Sequence, residues 1–321
     1  MKYDCIAFGS AILDVFNTSA ELKINQDKQS PTGKSFSLPA GAKLKVNQLE
    51  IHSGGGGTNV AVGLSRLGVK SAVCARLGWD MAGKLIRQEL KQEKVTDQLL
   101  VQFESDKTDW STILIDEKGN STILVWRGET KLEPSLLNAS QLNSFWFYLA
   151  SLEGNLDLVE FLLNLADQNH VRVVWNPGKR EIEQKEQLLK LAAKVDTLIV
   201  NEEELLRLTK LSLPFNQAFD QLKRLLPKIN LVVTRGSQGV RAKTAAGQDF
   251  NLTGLTVTQK DQTGAGDGFA SGLTAGLIKQ KNFDQALKIG LVNGAAVVTK
   301  IGAKPGLIYQ RELDYWLSRL N

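Results

Sequence analysis

The run Asp261-Gln262-Thr263-Gly264-Ala265-Gly266-Asp267-Gly268-Phe269 sets a carboxylate among small residues at the edge of an apolar periodic segment. Phe269, Leu273 and Leu277 fall at i, i+4 and i+8, so the spacing predicts a buried helix that begins in this glycine-bearing turn. The first amides of a helix lack partners within it, and the helix dipole favours negative charge there. Ala265, Gly266 and Asp267 therefore offer an anion hole, and Asp267 stands where a carboxylate can take the proton of an attacking hydroxyl. Phosphoryl transfer from a nucleotide to an alcohol needs both.

A second glycine run, Ser53-Gly54-Gly55-Gly56-Gly57-Thr58-Asn59, opens a helix with Val60, Leu64 and Leu67 on one face and Gly68 at its end. Its glycines either expose amides to something that approaches closely or make a bare flexible turn. Neither run fits a dinucleotide fingerprint. Asn59 stands where the first would need its third glycine, Phe269 does so in the second, and Asp267 would repel a bound pyrophosphate. The chain also has no Gly-x-x-x-x-Gly-Lys-Ser/Thr phosphate loop.

Other polar residues fall where strands end. Residues 5–8 read as a buried strand closed by Gly9-Ser10, and Asp14 just beyond is either a substrate contact or a turn or capping aspartate. Asn201 and Glu204 stand three apart at a helix start, where they serve a magnesium ion through water or cap the helix; residue chemistry alone favours the cap. Thr234-Arg235-Gly236-Ser237-Gln238-Gly239 ends another strand in a turn that lines phosphates with amides or joins a hairpin. Asn293-Gly294-Ala295-Ala296 leaves room for a flat base or for a close helix neighbour.

Short strands apolar on both faces at 147–151, 171–175 and 197–200 alternate with helices at 156–169, 181–193 and 202–209, which predicts an α/β fold around a doubly covered parallel sheet. Two stretches break that rhythm. Residues 17–50 are more polar and carry Pro31, Gly33, Pro39 and Gly41, and 110–127 form a hairpin around Asp116-Glu117-Lys118-Gly119-Asn120. Together they are expected to build a small sheet that closes over a site, formed by segments about 14–53 and 108–128. At 321 residues, one large α/β domain over 1–321 with such an appendage fits better than two equal domains.

The net charge of +5 is scattered, with no basic run interleaved with aromatics, which argues against a nucleic-acid partner. No span has the apolar length of a membrane crossing. Cys5 and Cys74 in apolar surroundings suggest a reducing cytoplasm, and two separated histidines, His52 and His170, make a zinc site improbable.

The two glycine runs together resemble the ribokinase family of carbohydrate kinases, also called the PfkB family. The chain is also similar to that family at Glu153, Asn176-Pro177, Asn201-x-x-Glu204 and Thr234-x-Gly236-x-x-Gly239. The resemblance implies a ribokinase-like three-layer α/β/α domain with a mostly parallel sheet and a β lid, moving the γ-phosphate of ATP to a hydroxyl of a sugar or nucleoside. By position it makes Asp267 the catalytic base and Gly264, Ala265 and Gly266 the anion hole. It assigns Asn201 and Glu204 to Mg²⁺ and phosphate, reversing the preference for a cap. Thr234, Gly236, Gly239 and Asn293 fall to the nucleotide, and Asp14, Gly55, Gly56, Asn59, Glu153 and Asp261 to the substrate. The family's monovalent cation, K⁺, would fall at Asp261, Thr263, Val297, Gly302 and Gly306; the serine of ribokinases is missing at Gly306. Many ribokinases carry a lysine where Gly56 stands, so the acceptor is left open among sugars, phosphosugars and nucleosides. Asn17, Trp110, Trp126 and Arg127 of the lid are expected to select it, and the lid could also build a homodimer. A non-catalytic sugar or nucleotide sensor on the same scaffold is the rival from another class.

Overall fold

The computed structural model describes residues 2–30, 33–128 and 130–320; residues 31 and 32, inside the first excursion, lie outside that description. Its frame is an eight-stranded sheet. In spatial order the strands are Asp249–Leu252, Val240–Lys243, Asn230–Thr234, Thr197–Asn201, Arg172–Trp175, Ser144–Leu149, Tyr3–Phe8 and Ser71–Cys74. The last six run parallel, and the first two join antiparallel at one edge.

Side chains of a strand alternate between faces, and here both faces are buried. Cys5, Ala7, Tyr148, Val174, Ile199 and Val232 pack with Val60, Leu64, Phe269, Leu273 and Leu287. Their neighbours Ile6, Phe8, Phe147, Leu149, Val173, Trp175, Leu198 and Val200 pack with Leu158, Leu162, Leu188, Leu205 and Phe219. Helices Gly56–Arg66, Ala265–Ile278 and Phe283–Val297 thus cover one face. Leu156–Gln168, Lys185–Ala192, Glu202–Leu208 and Phe215–Leu225 cover the other. The short all-apolar strands follow from this double cover.

A second sheet holds four strands, in the order Ser121–Trp126, Asp109–Ile115, Ile12–Thr18 and Gln48–Gly54. The segment around Asp14 is therefore a strand rather than a turn or cap. Its run Ile12-Leu13-Asp14-Val15-Phe16 is buried throughout, which hides the polar–apolar alternation a half-exposed strand would show. Tyr3–Phe8 reaches it through only Gly9, Ser10 and Ala11, so the first strand of the large sheet leads directly into the small one. The helix expected over 181–193 is divided into Lys179–Ile182 and Lys185–Ala192.

Candidate active site

The parallel strands deliver their carboxyl ends to one cavity of about 310 Å³, lined by Ala150, Ser151, Asn176, Ile199, Asn201 and Thr234 at the sheet's edge and by Glu204 from the helix after Asn201. Gly56, Gly266 and Asp267 close it from the two glycine runs. Ligands of open α/β sheets collect in this position because connections there leave a crevice that helices do not fill.

Gly264 takes φ 79°, a left-handed backbone that suits glycine, and starts the Ala265–Ile278 helix. A Cβ there would stand 2.4 Å from that of Ala303, so a side chain is barred on two counts. The Ala265 amide donates to the Gln262 carbonyl at 3.2 Å. Of the expected anion hole, Ala265 is thus engaged by the preceding turn, while Gly264, Gly266 and Asp267 are left at the helix start.

Asp267 sits in the first helical turn, and Asn59 Nδ2 donates to its Oδ2 at 2.8 Å. Burial raises the carboxyl above its ordinary range, opposed by that hydrogen bond and by the charge of Lys304. Asn59 Oδ1 is buried without a protein partner among the described residues, an orphan acceptor beside Asp267. Such a group is normally satisfied by water or ligand. Gly56 lies across from Asp267, where an added Cβ would stand 3.6 Å from Asp267 Oδ1. Gly55 has φ 94°, and a Cβ on it would meet the Ser10 carbonyl at 2.4 Å. The glycine run thus packs on the turn after the first strand.

Asp14 belongs to the second sheet and is opposite Ser111 and His52 in register. Burial pushes its carboxyl from 3.8 up to about 6, against the Ser111 hydrogen bond and the charges of Lys304, Arg127 and His52. With a folded value above the unfolded one, the folded chain holds this proton more tightly, so stability falls as pH rises from about 4 to about 6. Asp14→Asn is accordingly expected to raise stability at pH 7 by on the order of 1–3 kcal/mol. The gain should vanish at about pH 4, near the ordinary carboxylate value. Thermal unfolding at the two pH values reads this, and an unchanged or lowered midpoint at pH 7 would contradict it.

Glu153 has φ 60°, an uncommon conformation outside glycine that tends to mark functional sites. Arg127 Nη1 donates to Asp109 Oδ2 at 2.7 Å and lies 3.5 Å from Glu153 Oε1, which ties the second sheet to the strand end at 149–153. Of the expected lid selectors, Arg127 reaches this acidic corner and the two tryptophans do not. Trp110 falls between Asp109 and Ser111, so alternation turns it to the opposite face. There it lines, with Trp126, Met81 and Thr108, a separate groove of about 410 Å³.

Asn201 and Glu204 make the capping box that residue chemistry favours: the Glu204 amide donates to Asn201 Oδ1 at 2.9 Å and the Asn201 amide to Glu204 Oε2 at 2.8 Å. Both also line the cavity, and burial raises the Glu204 carboxyl. Thr234 lines it too, while the turn carrying Gly236 and Gly239 joins two antiparallel strands. Asn293 is a correction. It is fully buried, donates to the Gly268 carbonyl and Ser271 hydroxyl at 2.8 and 3.1 Å, and accepts the Ile308 amide at 2.9 Å. Both its amide hydrogens and its oxygen are engaged in packing against the Ala265–Ile278 helix and the Ile308 segment, and it does not line the cavity. Close helix packing also accounts for Gly294, where a Cβ would stand 3.0 Å from the Ala265 carbonyl.

Asp261 is likewise engaged. Its Oδ1 accepts the Thr263 amide and hydroxyl at 3.0 and 2.8 Å, and its Oδ2 accepts the Gly302 amide at 2.9 Å. Gly306 packs on Val297, so the five residues of the expected cation site fall into two contacting groups. The Asp261 carboxylate faces those loops instead of the cavity, which corrects its placement on the substrate side.

Two residues of this region carry no cue in the sequence. Glu181, fully buried, accepts the amides of Leu152, Gly154 and Gly178 at 2.6, 2.9 and 2.9 Å and the Ser151 hydroxyl at 3.0 Å, knotting two strand-end loops together. Lys304, also buried, lies within the field of Asp14 and Asp267. Burial pulls its ammonium below the usual lysine range, while Glu89, Asp14 and Asp267 pull it back up.

A doubly wound sheet whose strand ends converge on an amide-lined helix start with its own carboxylate describes a group-transfer enzyme for anionic, phosphate-bearing substrates. The profile of the pfkB family carbohydrate kinases matches residues 13–308, and the chain belongs to that family. It is thus a phosphotransferase, a sugar or nucleoside kinase. It is 29% identical over 283 residues to the ribokinase of Haemophilus influenzae, covering 86% of this chain and 90% of that one. To the fructokinase of Vibrio alginolyticus it is 28% identical over 284 residues, covering 81% and 90%. The structure of Arabidopsis thaliana ribokinase complexed with ribose and ATP superposes with a TM-score of 0.81 at 20% identity, covering 99% of both chains. The fold is accordingly ribokinase-like. Among the described residues, no helix is long and apolar enough to cross a membrane.

Proposed function

We propose that the chain transfers the γ-phosphate of ATP to a hydroxyl of a sugar, with Asp267 as general base. The observation that carries the reading is the Asp267 carboxylate at a helix start, held 2.8 Å from Asn59, whose own oxygen is left without a protein partner. An acceptor hydroxyl lying between the 54–59 turn and Asp267 would give its proton to the carboxylate as its oxygen attacks phosphorus. The Gly266 and Asp267 amides would meet the charge that grows on the transferred group. Asp14 and Glu153 would accept hydrogen bonds from the other hydroxyls, which fixes the acceptor and supplies much of the rate through positioning.

On the nucleotide side, Thr234 is opposite Asn201 in register and shares the cavity with Glu204, and the turn through Gly236 and Gly239 that follows it would line the phosphates. A carboxylate and an amide oxygen are hard donors that suit magnesium, and because they already cap a helix they would hold the ion through its water shell. The ion supplies charge neutralisation to the phosphates. Among the described residues no three acidic, histidine or cysteine side chains gather as a dedicated cage. The expected monovalent cation would find one acceptor site left on the Asp261 carboxylate, which already takes three protein hydrogens. A cytoplasmic setting is supported by the two buried free thiols.

Coupled ADP-release assays across neutral sugars, sugar phosphates and nucleosides test the reading, with turnover expected on neutral sugars. ADP release with no acceptor in the panel would remove it. The pH profile follows from the site. A base must be ionised to act, and burial raises Asp267, so turnover on the acid side should fall with a midpoint above the ordinary carboxylate value of about 4. An acid limb at or below that value would exclude Asp267.

A further inference from the structure

Lys304 is 1% exposed, and a lysine is almost never buried without partners that hold it. Its Nζ donates to the Ser53 carbonyl at 2.8 Å, to the Ser53 hydroxyl, and to Thr58 Oγ1 at 2.9 Å, with Glu89 Oε1 at 3.9 Å. Those three acceptors use the three donors of an ammonium group. Thr58 Oγ1 passes the restraint on, donating to the Gly54 carbonyl at 2.7 Å. The backbone of Lys304 is fixed as well: Arg66 Nη1 donates to the carbonyls of Lys304 and Leu307 at 2.8 and 3.0 Å, and the same guanidinium pairs with Glu93. The side chain is therefore a strut between the 302–307 loop and both ends of the glycine turn.

We propose that Lys304 is a positioning residue for the phosphoryl transfer: its ammonium fixes residues 53–59 so that Asn59 meets Asp267 and the acceptor wall keeps its distance from the base. Four consecutive glycines have little conformational preference of their own, so the turn needs bracing from outside. Displacement of a reacting group by about 1 Å costs on the order of 10²-fold in rate, which makes that bracing matter. Lys304 touches no reacting atom. The inference rests on the kinase reading for its consequence, while the bracing itself is measurable without it.

The test uses Lys304→Ala and Thr58→Val, the second keeping the shape of the side chain, with hydrogen–deuterium exchange and steady-state kinetics on the full chain. Amides at residues 54–60 should exchange at least about tenfold faster in both variants, with those at 202–208 unchanged. For the acceptor found active with the wild type, kcat should fall by about tenfold or more, while KM for ATP stays within about twofold. Added n-propylammonium, which replaces what the truncation removes, should restore part of the Lys304→Ala turnover, and 1-propanol should not. Wild-type exchange at 54–60 in a folded variant, unchanged kcat, or equal rescue by the alcohol would overturn the proposal. If Lys304→Ala does not fold, Thr58→Val decides by exchange and kcat. If the wild type phosphorylates nothing, the kinase reading falls and the exchange data still decide the strut.

Discussion

Replacing Asp267 by Asn should lower turnover by at least about 10²-fold while leaving ATP binding largely intact, the signature of a lost general base. The substitution is nearly isosteric, and the new side chain can still accept the hydrogen that Asn59 presents at 2.8 Å, so the helix start keeps its shape. What disappears is the capacity to take a proton. The measurement is kcat beside a direct titration of ATP binding on the same protein. Turnover within a few-fold of wild type would mean that the acceptor loses its proton elsewhere, and loss of ATP binding would mean that Asp267 holds the nucleotide site together.

The second large effect is on stability. Glu181 accepts three backbone amides and a hydroxyl from the loops that follow two adjacent strands of the large sheet. Glu181→Ala leaves those amides in a buried place with nothing to accept them, at about 1–3 kcal/mol for each donor that water cannot reach. A loss of roughly 3 kcal/mol or more is expected by chemical denaturation, and Ser151, Glu153 and Gly178 should lose their arrangement with it. Glu181→Gln, which keeps one acceptor oxygen, should lose less. Equal, small losses in both variants would show that the loops hold without the carboxylate.

The parts of this fold legible from the chain are those whose cause is local. The double cover of the sheet shows in short apolar strands, because each strand carries the burial of both faces in its own residues. The Ala265–Ile278 helix shows in its spacing, and Asp267 shows because a carboxylate among glycines at a helix start has few structural uses. Asn201 and Glu204 display the limit of such local reading. The capping box is a three-residue matter and is present, yet the same pair also lines the cavity, which only the tertiary structure shows.

What is not legible depends on partners far away in sequence. Lys304 sits in a short Gly-Ala-Lys-Pro-Gly loop with no periodicity, and its acceptors lie 251 and 246 residues upstream. Asn293 carries small neighbours that suit a flat ligand or a helix. The choice goes to the helix, because Gly268 and Ser271, 25 and 22 residues away, take its amide. Trp110 and Arg127 both belong to the second excursion, but which of them faces the acids follows from strand register, with Trp110 opposite Trp126 and Asp109 opposite Ile12. The strand around Asp14 is hidden differently: buried on both faces, it offers no alternation to mark it.

The most direct test of the account is phosphorus NMR of the wild-type chain incubated with ATP, magnesium and the neutral sugars that release ADP. One new phosphomonoester is expected for each ADP formed, and no such product with Asp267→Asn over the same time. Inorganic phosphate accumulating in place of a phosphomonoester would show that water, and not a sugar hydroxyl, is the group this site activates.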